Sequence, residues 1–457
     1  MKFAPYRNYK PGNSDWLREI PDSWQQIRGR FGMGVNPSPM RLRDLVGADE
    51  VSFVPMEAVG EYGGLNLERT IPLDEIGRVF TEFEDGDVVV AKITPCFENG
   101  KGAIADGLLN GVAFGTTELH VLRAGKRLDS RFLFYLTISH TFRKLGESEM
   151  YGAGGQKRVP PEFAKDFRVP LPRIEEQEAI ARFLDAKTAQ IDTLVAKKRQ
   201  LIDKLKEKRS ALIARTVTRG LPPEAAKAAG LEPNPEMKDS GIDWLGEILS
   251  HWLVLPLFRI VQSIQTGPFG TQLHHADYVD DEVPLINPVH LVDGELQPDI
   301  KNTVTPETVE RLSRYKLMAG DLVFARRGDI GRCGVVRPAQ EGWLCGTGSM
   351  VVRLRTQSCI SLYYALVFRS SGFSSLLELN AVGTTMLNLN PSIVGRMAVP
   401  VPPSAEQQAI IDFLDRETAQ LDALTAKVES AITRLTDYRQ ALITSAVTGK
   451  IDVREAA

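Results

Sequence analysis

The chain has 457 residues, 43% hydrophobic and 25% charged, with a formal net charge of −3, a composition that suits two to four packed domains. No apolar run reaches the roughly 20 residues a membrane span needs, and Met1–Trp16 lacks the apolar core of a secretion signal. The four cysteines lack metal-ligand spacing, so reduced thiols in a cytoplasm are expected, and the near-neutral total argues against binding to nucleic acid through bulk charge alone.

In chain order, Asp15-Trp-Leu-Arg-Glu-Ile20 with Trp24 reads as an amphipathic segment that ties down a domain. Runs such as Asp87–Ala91 and His120–Leu122, broken by Gly, Pro and Asp, predict short strands, and one helix is expected over Ser130–Lys144. The loops of this first domain, residues 1–168, carry Lys92, Thr94, Lys101, Gln156, Lys157 and Arg158, groups that suit base edges or phosphates.

Pro170 and Pro172 then precede a long helix, placed with its approach in residues 169–222. A 3-4 spacing runs through positions 180, 184, 187, 191, 194, 198, 201, 205, 208 and 212, seven of them apolar: Ile180, Leu184, Ile191, Leu194, Leu201, Leu205 and Leu212. That is the narrow seam of a coiled coil. Gly220-Leu-Pro222-Pro223 ends it, and residues 223–238 read as a linker.

The second domain, residues 239–398, opens on Asp243-Trp-Leu-Gly-Glu-Ile248 with Trp252 and repeats the outline of short strands, with one helix expected over Ser361–Leu379. Its candidate contacts are Gln265, Thr266, Thr271 and Gln272 on one loop, Arg326, Arg327 and Arg332 on a turn, and Thr384, Thr385 and Asn388 ahead of a second long helix. Arg can bind guanine O6/N7 and Gln adenine N6/N7 in bidentate fashion. Residues 399–450 form that helix, with Ile410, Leu414, Leu421, Leu424, Leu435 and Leu442 on its seam, and residues 451–457 read as a tail.

Val169–Gly220 and Val399–Lys450 are copies: an ungapped shift of 230 residues makes 25 of 52 positions identical. A helix of this length cannot bury its stripe alone, and its natural partner is its own copy, lying antiparallel. Between Lys187 and Arg209 there are eight Lys/Arg against three acids, and over Glu417–Arg439 three against four, as expected of helices side by side. The domains would then sit at opposite ends of a helical ruler.

No catalytic constellation stands out. There is no GxxxxGK[ST] loop. Thr94-Pro-Cys-Phe97 and Asn390-Pro-Ser392 miss the Asn/Asp-Pro-Pro-aromatic motif of an amino-methyltransferase, and His274-His275 lacks a third ligand and reads as a surface loop.

The signature E-Q-x-x-I-x-x-F-L-D-x-x-T-A-Q-[IL]-D occurs at Glu176–Asp192 and again at Glu406–Asp422. With the string Asp239–Ile248 and the Gly-Asp-Leu-Val-Phe-Ala-Arg-Arg run from Gly320, it resembles the specificity (S) subunits of type I restriction–modification systems over essentially the full length. The first half departs from that pattern in having Tyr9-Lys-Pro-Gly-Asn-Ser-Asp15 before Trp16. The resemblance implies an α+β fold: two mixed α/β target recognition domains separated by two long antiparallel coiled-coil helices in a pseudo-two-fold internal repeat. It implies a non-catalytic subunit that reads a bipartite, asymmetric DNA site and docks two methyltransferase (M) subunits for adenine N6 methylation, with restriction (R) subunits adding cleavage. No cofactor is expected here: S-adenosylmethionine, ATP and Mg would sit on the partners. Two rival readings are a stand-alone two-domain DNA-binding or scaffold protein with an internal coiled coil, and a hydrolase or transferase built on a cleft between the domains.

Overall fold

Both halves of the chain build one strand framework, in which a buried Asp follows a Gly turn. A computed structural model describes residues 3–40, 45–76, 80–328, 330–355, 358–381 and 388–454, with only the backbone of Thr271 and His275. It divides into two units, Met1–Arg199 with Glu429–Ala457, and Gln200–Val428.

The first half runs β1 (Tyr9–Ser14), β2 (Leu17–Pro21), β3 (Gln25–Arg28), β4 (Met33–Val35), β5 (Glu50–Val54), β6 (Thr70–Pro72), β7 (Thr81–Glu84), β8 (Val88–Ala91), β9 (Gly102–Ile104), β10 (Val112–Gly115) and β11 (Leu119–Ala124). Helices α1 (Ser130–Thr137), α2 (His140–Ser148) and α3 (Pro161–Asp166), strand β12 (Arg168–Leu171) and helix α4 (Ile174–Arg219) follow. The second half runs α5 (Pro223–Ala228), β13 (Met237–Asp239), β14 (Glu247–Leu249), β15 (Leu253–Pro256), β16 (Val261–Thr266), β17 (Tyr278–Val279), β18 (Val283–Ile286), β19 (Leu291–Val292), β20 (Glu295–Leu296) and β21 (Thr303–Val304). It continues with α6 (Pro306–Arg311), β22 (Leu322–Ala325), β23 (Cys333–Val335), β24 (Leu344–Cys345), β25 (Ser349–Leu354), α7 (Ser361–Phe368), α8 (Ser371–Asn380), α9 (Pro391–Arg396), β26 (Ala398–Val401) and α10 (Ser404–Val447).

Sheet order shows the repeat where sequence identity has faded. The sheet β4-β11-β8-β9 of the first unit matches β16-β25-β22-β23 of the second, and β6-β5-β10 matches β21-β18-β24, each with one parallel pair. The pairs β1–β2 and β3–β12 match β13–β14 and β15–β26. The Gly-Asp turn has the same use in both: Gly86 and Gly320 take φ of 90° and 87°, and the buried Asp87 and Asp321 each meet an arginine of the neighbouring strand, Arg123 or Arg353, with Nε–Oδ1 at 2.7 Å.

The two long helices run antiparallel. In the first unit Ile180, Ala181 and Leu184, at the start of α4, share a core with Leu442, Ile443, Ala446 and Val447 at the end of α10. In the second unit Ile213 and Val217, at the end of α4, join Ile410, Ile411 and Leu414 at the start of α10. Each helix ends at a glycine with positive φ (Gly220 at 75°, Gly449 at 71°), where a Cβ would collide with Leu249 or Pro21.

The seam is shifted in phase from the sequence expectation. Its residues are Leu184, Thr188, Ile191, Val195, Lys198, Ile202, Leu205, Arg209, Leu212 and Thr216, matched 230 positions on by Leu414, Thr418, Leu421, Thr425, Val428, Ile432, Leu435, Arg439, Leu442 and Ala446; all are buried or half-buried. Every second expected position is thus displaced by one. Leu194, Leu201 and Leu424 lie off the seam at 43%, 41% and 44% exposure. Apolarity misled because the true alternate positions include Thr and Arg: the Thr418 and Thr425 hydroxyls donate back to Leu414 O and Leu421 O of their own helix, and the arginines carry their charge to the edge of the contact. The two arginines are tied to the facing helix by equivalent pairs, Arg209–Asp422 at 3.1 Å and Arg439–Asp192 at 3.0 Å. Each helix gives one Arg and one Asp, whereas Lys197, Lys204, Lys206 and Lys208 are exposed, so the basic excess of α4 is not spent on its partner helix.

The repeated Glu-Gln dipeptide locks each helix start to its domain. Glu176 Oε1 accepts from the Trp24 indole at 3.0 Å and the Tyr6 hydroxyl at 2.8 Å; Glu406 accepts from the Trp252 indole at 2.7 Å and His251 Nε2 at 2.6 Å. The fully buried Gln177 accepts from the Asp129 amide and donates to the carbonyls of Arg127 and Pro172. Gln407 repeats this with Ile360, Ser358 and Pro402.

Six segments differ from their sequence reading. The helices expected over Ser130–Lys144 and Ser361–Leu379 are each two, because the buried Ser139 and Ser370 turn their hydroxyls back onto Leu136 O and Val367 O and start a new helix. The blocks at 169–222 and 399–450 begin in strands β12 and β26, paired into the domains, rather than in helix. The linker at 223–238 holds α5 and the first residues of β13. The tail at 451–457 is packed over its described part: Val453 is fully buried and the Asp452 amide donates to Ala4 O at 2.8 Å.

Candidate nucleic-acid interface

In both units the chain leaving the central strand of a sheet meets the chain returning from the helices, and this edge gathers many of the candidate contacts. In the first unit the Lys92 amide donates to Glu118 O at 2.9 Å and Lys92 O accepts from the Val159 amide at 2.8 Å. In the second the Arg326 amide donates to Gly348 O at 3.0 Å and Arg326 O accepts from Leu389 at 3.0 Å. Bridges Ile93↔Arg158 and Arg327↔Asn388 extend the two ribbons. Lys92 and Arg326 therefore hold equivalent places, as do Arg158 and Asn388, with different side chains.

Along the first ribbon Gln156 and Lys157 are exposed and Lys92 is half-exposed. Other expected contacts there have structural duties. Thr94 Oγ1 accepts from the Lys157 amide at 2.8 Å and lies 3.2 Å from Gly155 O, pinning the loop. Arg158 forms a bidentate pair with Glu118 at 2.7 to 3.1 Å, which holds the Glu118 carboxyl below its usual range. Lys101 Nζ donates to Met56 O at 3.0 Å. Sequence spacing named the cations but not their partners; Glu118 is the residue it missed.

In the second unit Arg326 donates through Nε to Asn388 Oδ1 at 3.1 Å, and Arg327 is exposed. Burial, and then the neighbouring Arg327, lower the Arg326 pKa, and among the described residues no carboxylate is paired with it. Such a site favours an anionic or carbonyl acceptor. Arg332 is also exposed and has partners of its own. Gln265 and Thr266 lie half-buried on β16, with Gln265 Nε2 buried and without a hydrogen-bond partner among the described residues. Gln272 is taken up structurally: its side chain accepts from Tyr315 at 2.6 Å and its carbonyl from Arg311 at 2.7 Å. The Thr271 side chain, Thr384 and Thr385 fall outside the described residues. Among the described residues no group of three His, Cys, Asp or Glu is placed to hold a metal, and no helix is long and apolar enough to cross a membrane.

Comparison with known proteins bears on the same regions. The model of the type I restriction modification DNA specificity domain matches residues 79–204 and 273–434. The specificity subunit of the type I restriction enzyme EcoAI from Escherichia coli is 39% identical over 164 residues, 35% of this chain and 27% of that protein, so the match spans about a quarter of that relative's length. The MjaVIII specificity subunit of Methanocaldococcus jannaschii is 22% identical over 99% of this chain and 98% of its own. Among solved structures, one described as showing complex assembly and conformational transition of the type I R-M system covers 94% of this chain and 99% of its own, with a TM-score of 0.71 at 18% identity. The HsdS subunit from Thermoanaerobacter tengcongensis covers 94% and 98%, with a TM-score of 0.52 at 18% identity. The structural likeness bears on the fold; the family model, which spans more than half of the sequence in two copies, decides membership. The chain belongs to the type I restriction modification DNA specificity domain family.

Proposed function

We propose that this chain is the DNA sequence-specificity subunit of a type I restriction–modification complex and performs no bond chemistry of its own. Each unit reads one half of a bipartite, asymmetric site, and α4 with α10 sets the unread spacer and docks two methyltransferase subunits. Those partners carry S-adenosylmethionine and extrude the target adenine, whose amine is out of reach in a stacked duplex. Restriction subunits, where they join, bring ATP and Mg for cleavage. The observation that carries the reading is the pair of equivalent ribbons with unlike side chains. Lys92 corresponds to Arg326, Ile93 to Arg327 and Arg158 to Asn388, and equal backbones bearing different side chains suit two unlike half-sites. The leucines displaced from the seam, Leu194, Leu201 and Leu424, supply exposed apolar surface for the methyltransferase subunits.

The test is to co-express the chain with its methyltransferase subunit, map methylated adenines in host DNA and repeat the map with Lys157→Ala and Arg327→Ala. Arg327→Ala is expected to relax one half-site by about 1–3 kcal/mol if it reads a base; Lys157→Ala, at a phosphate, lowers the salt slope of binding by about 1. An unchanged motif and unchanged affinity in both variants would remove the ribbons from the interface.

A further inference from the structure

Among the exposed aromatic side chains of the described residues, which include Phe31 and Phe258, one in each unit stands on a glycine-rich loop anchored at its basic ribbon. In the first, Tyr151 is 66% exposed, yet its backbone is fixed: its amide donates to Arg158 O at 3.2 Å and its carbonyl accepts from the Arg158 amide at 2.9 Å. The chain between them turns through Gly152, Gly154 and Gly155 at positive φ and carries Gln156 and Lys157. In the second, Phe269 is 59% exposed on the loop after β16. That loop is pinned at its start by the Gly267 amide on Ser349 O at 3.0 Å, and at its end by Gln272, which Tyr315 and Arg311 hold. Gly267 fits so closely against Gly346 that a Cβ there would lie 2.0 Å from its carbonyl oxygen. Gly346 and Ser349 belong to the turn whose Gly348 carbonyl accepts from Arg326.

An aromatic ring left in water is ordinary; one held there by a fixed backbone beside a cationic edge, in both units, is a feature with a use. Among the described residues neither ring packs on a neighbouring aromatic, as Tyr6, Trp24, Trp244 and Phe373 do. We propose that Tyr151 and Phe269 are stacking residues: on binding, each ring lies against a base or wedges at a base step in its own half-site. The neighbouring cations hold the phosphates that keep the duplex in place. Stacking tolerates any base face, so these residues supply affinity and local deformation while the ribbon side chains supply identity. The inference rests on the proposed DNA interface.

The test uses the assembled complex of this chain with its methyltransferase subunits and a duplex bearing the mapped motif, with 2-aminopurine placed in turn at positions of each half-site. Tyr151→Ala and Phe269→Ala are expected to weaken binding by about 5- to 150-fold, the range for loss of one stacked base. The salt slope stays unchanged, because no charge is removed. Tyr151→Phe and Phe269→Tyr keep a ring and bind like the parent. Apart from the extruded target adenine, the parent complex perturbs 2-aminopurine fluorescence at one further step per half-site, and each alanine variant loses that further signal in its own half only. If both alanine variants bind and report like the parent while Lys157→Ala and Arg327→Ala weaken binding, the stacking role is overturned and the interface stands. If all four bind like the parent, the interface reading itself fails.

Discussion

Replacing Glu176 by Ala isolates the buried anchor of α4. Its Oε1 takes both the Trp24 indole and the Tyr6 hydroxyl, from residues that are 0% and 6% exposed. Alanine strands two donors where water has little access, at about 1–3 kcal/mol each. Relief of a largely buried carboxylate, whose nearest cation, Arg454, stands 3.9 Å away, offsets part of this, so a net loss of about 2–5 kcal/mol is expected. Glu406→Ala strands the Trp252 indole alone, since the His251 side chain is 44% exposed and finds water, so about 1–3 kcal/mol is expected. The two copies of one motif therefore differ in cost, the first being dearer. A single unfolding midpoint is a poor measure for a two-unit chain. Native-state hydrogen exchange of peptides from β2 and the first turns of α4, against β14 and the first turns of α10, reads each site separately. Glu176→Gln, which keeps an acceptor, should recover at least half of the loss. The reasoning is refuted if Glu176→Ala costs under about 1 kcal/mol locally, or if Glu406→Ala costs more.

The seam and a buried histidine give two further tests. Ile202→Ala, on the seam at 9% exposure, should lower the local stability of α4 by about 1.5–3 kcal/mol, and Leu201→Ala, at 41%, by under about 1; equal losses by hydrogen exchange would restore the phase read from apolarity. His120 is buried, with Nε2 2.8 Å from Val159 O, and burial lowers its pKa from 6.5. The unfolded chain then takes up the proton first, so the stability of the first unit is complete above pH 6.5 and falls as pH drops from there toward the depressed folded value. His120→Gln should flatten the stability profile between about pH 7 and 5, and an unaltered profile in the variant would exclude this group as the source.

The sequence displays the internal repeat, the two long helices and the Gly-Asp turns because each has a local cause: period, breakers, or a φ that only glycine takes easily. The seam phase is hidden because Leu194 and Leu201 look more like core than Val195 and Ile202 do, and which stripe is buried depends on the facing helix. The candidate contacts divide in the same way. Lys92 with Lys157 in the first unit, and Arg326 with Arg327 and Asn388 in the second, come together within their own unit, since sheet order carries them there. Arg158, Thr94, Lys101 and Gln272 carry the same chemistry but are held by Glu118, loop backbone, Met56 and Tyr315, partners up to 63 residues away in sequence. Only folding reveals that a donor is already taken.

The helix α10 gives the first unit something the second lacks: a dependence on the order of synthesis. Residues Gln200–Val428 are contiguous, so the second unit can close on itself as soon as they leave the ribosome. The wall of Trp24, Phe183 and Leu184 waits for Leu442, Ile443, Ala446, Val447 and Val453, made after the whole of the second unit. The unit translated first is thus completed after the second, and a chain cut after Val428 would carry one finished unit and one with its apolar flank bare.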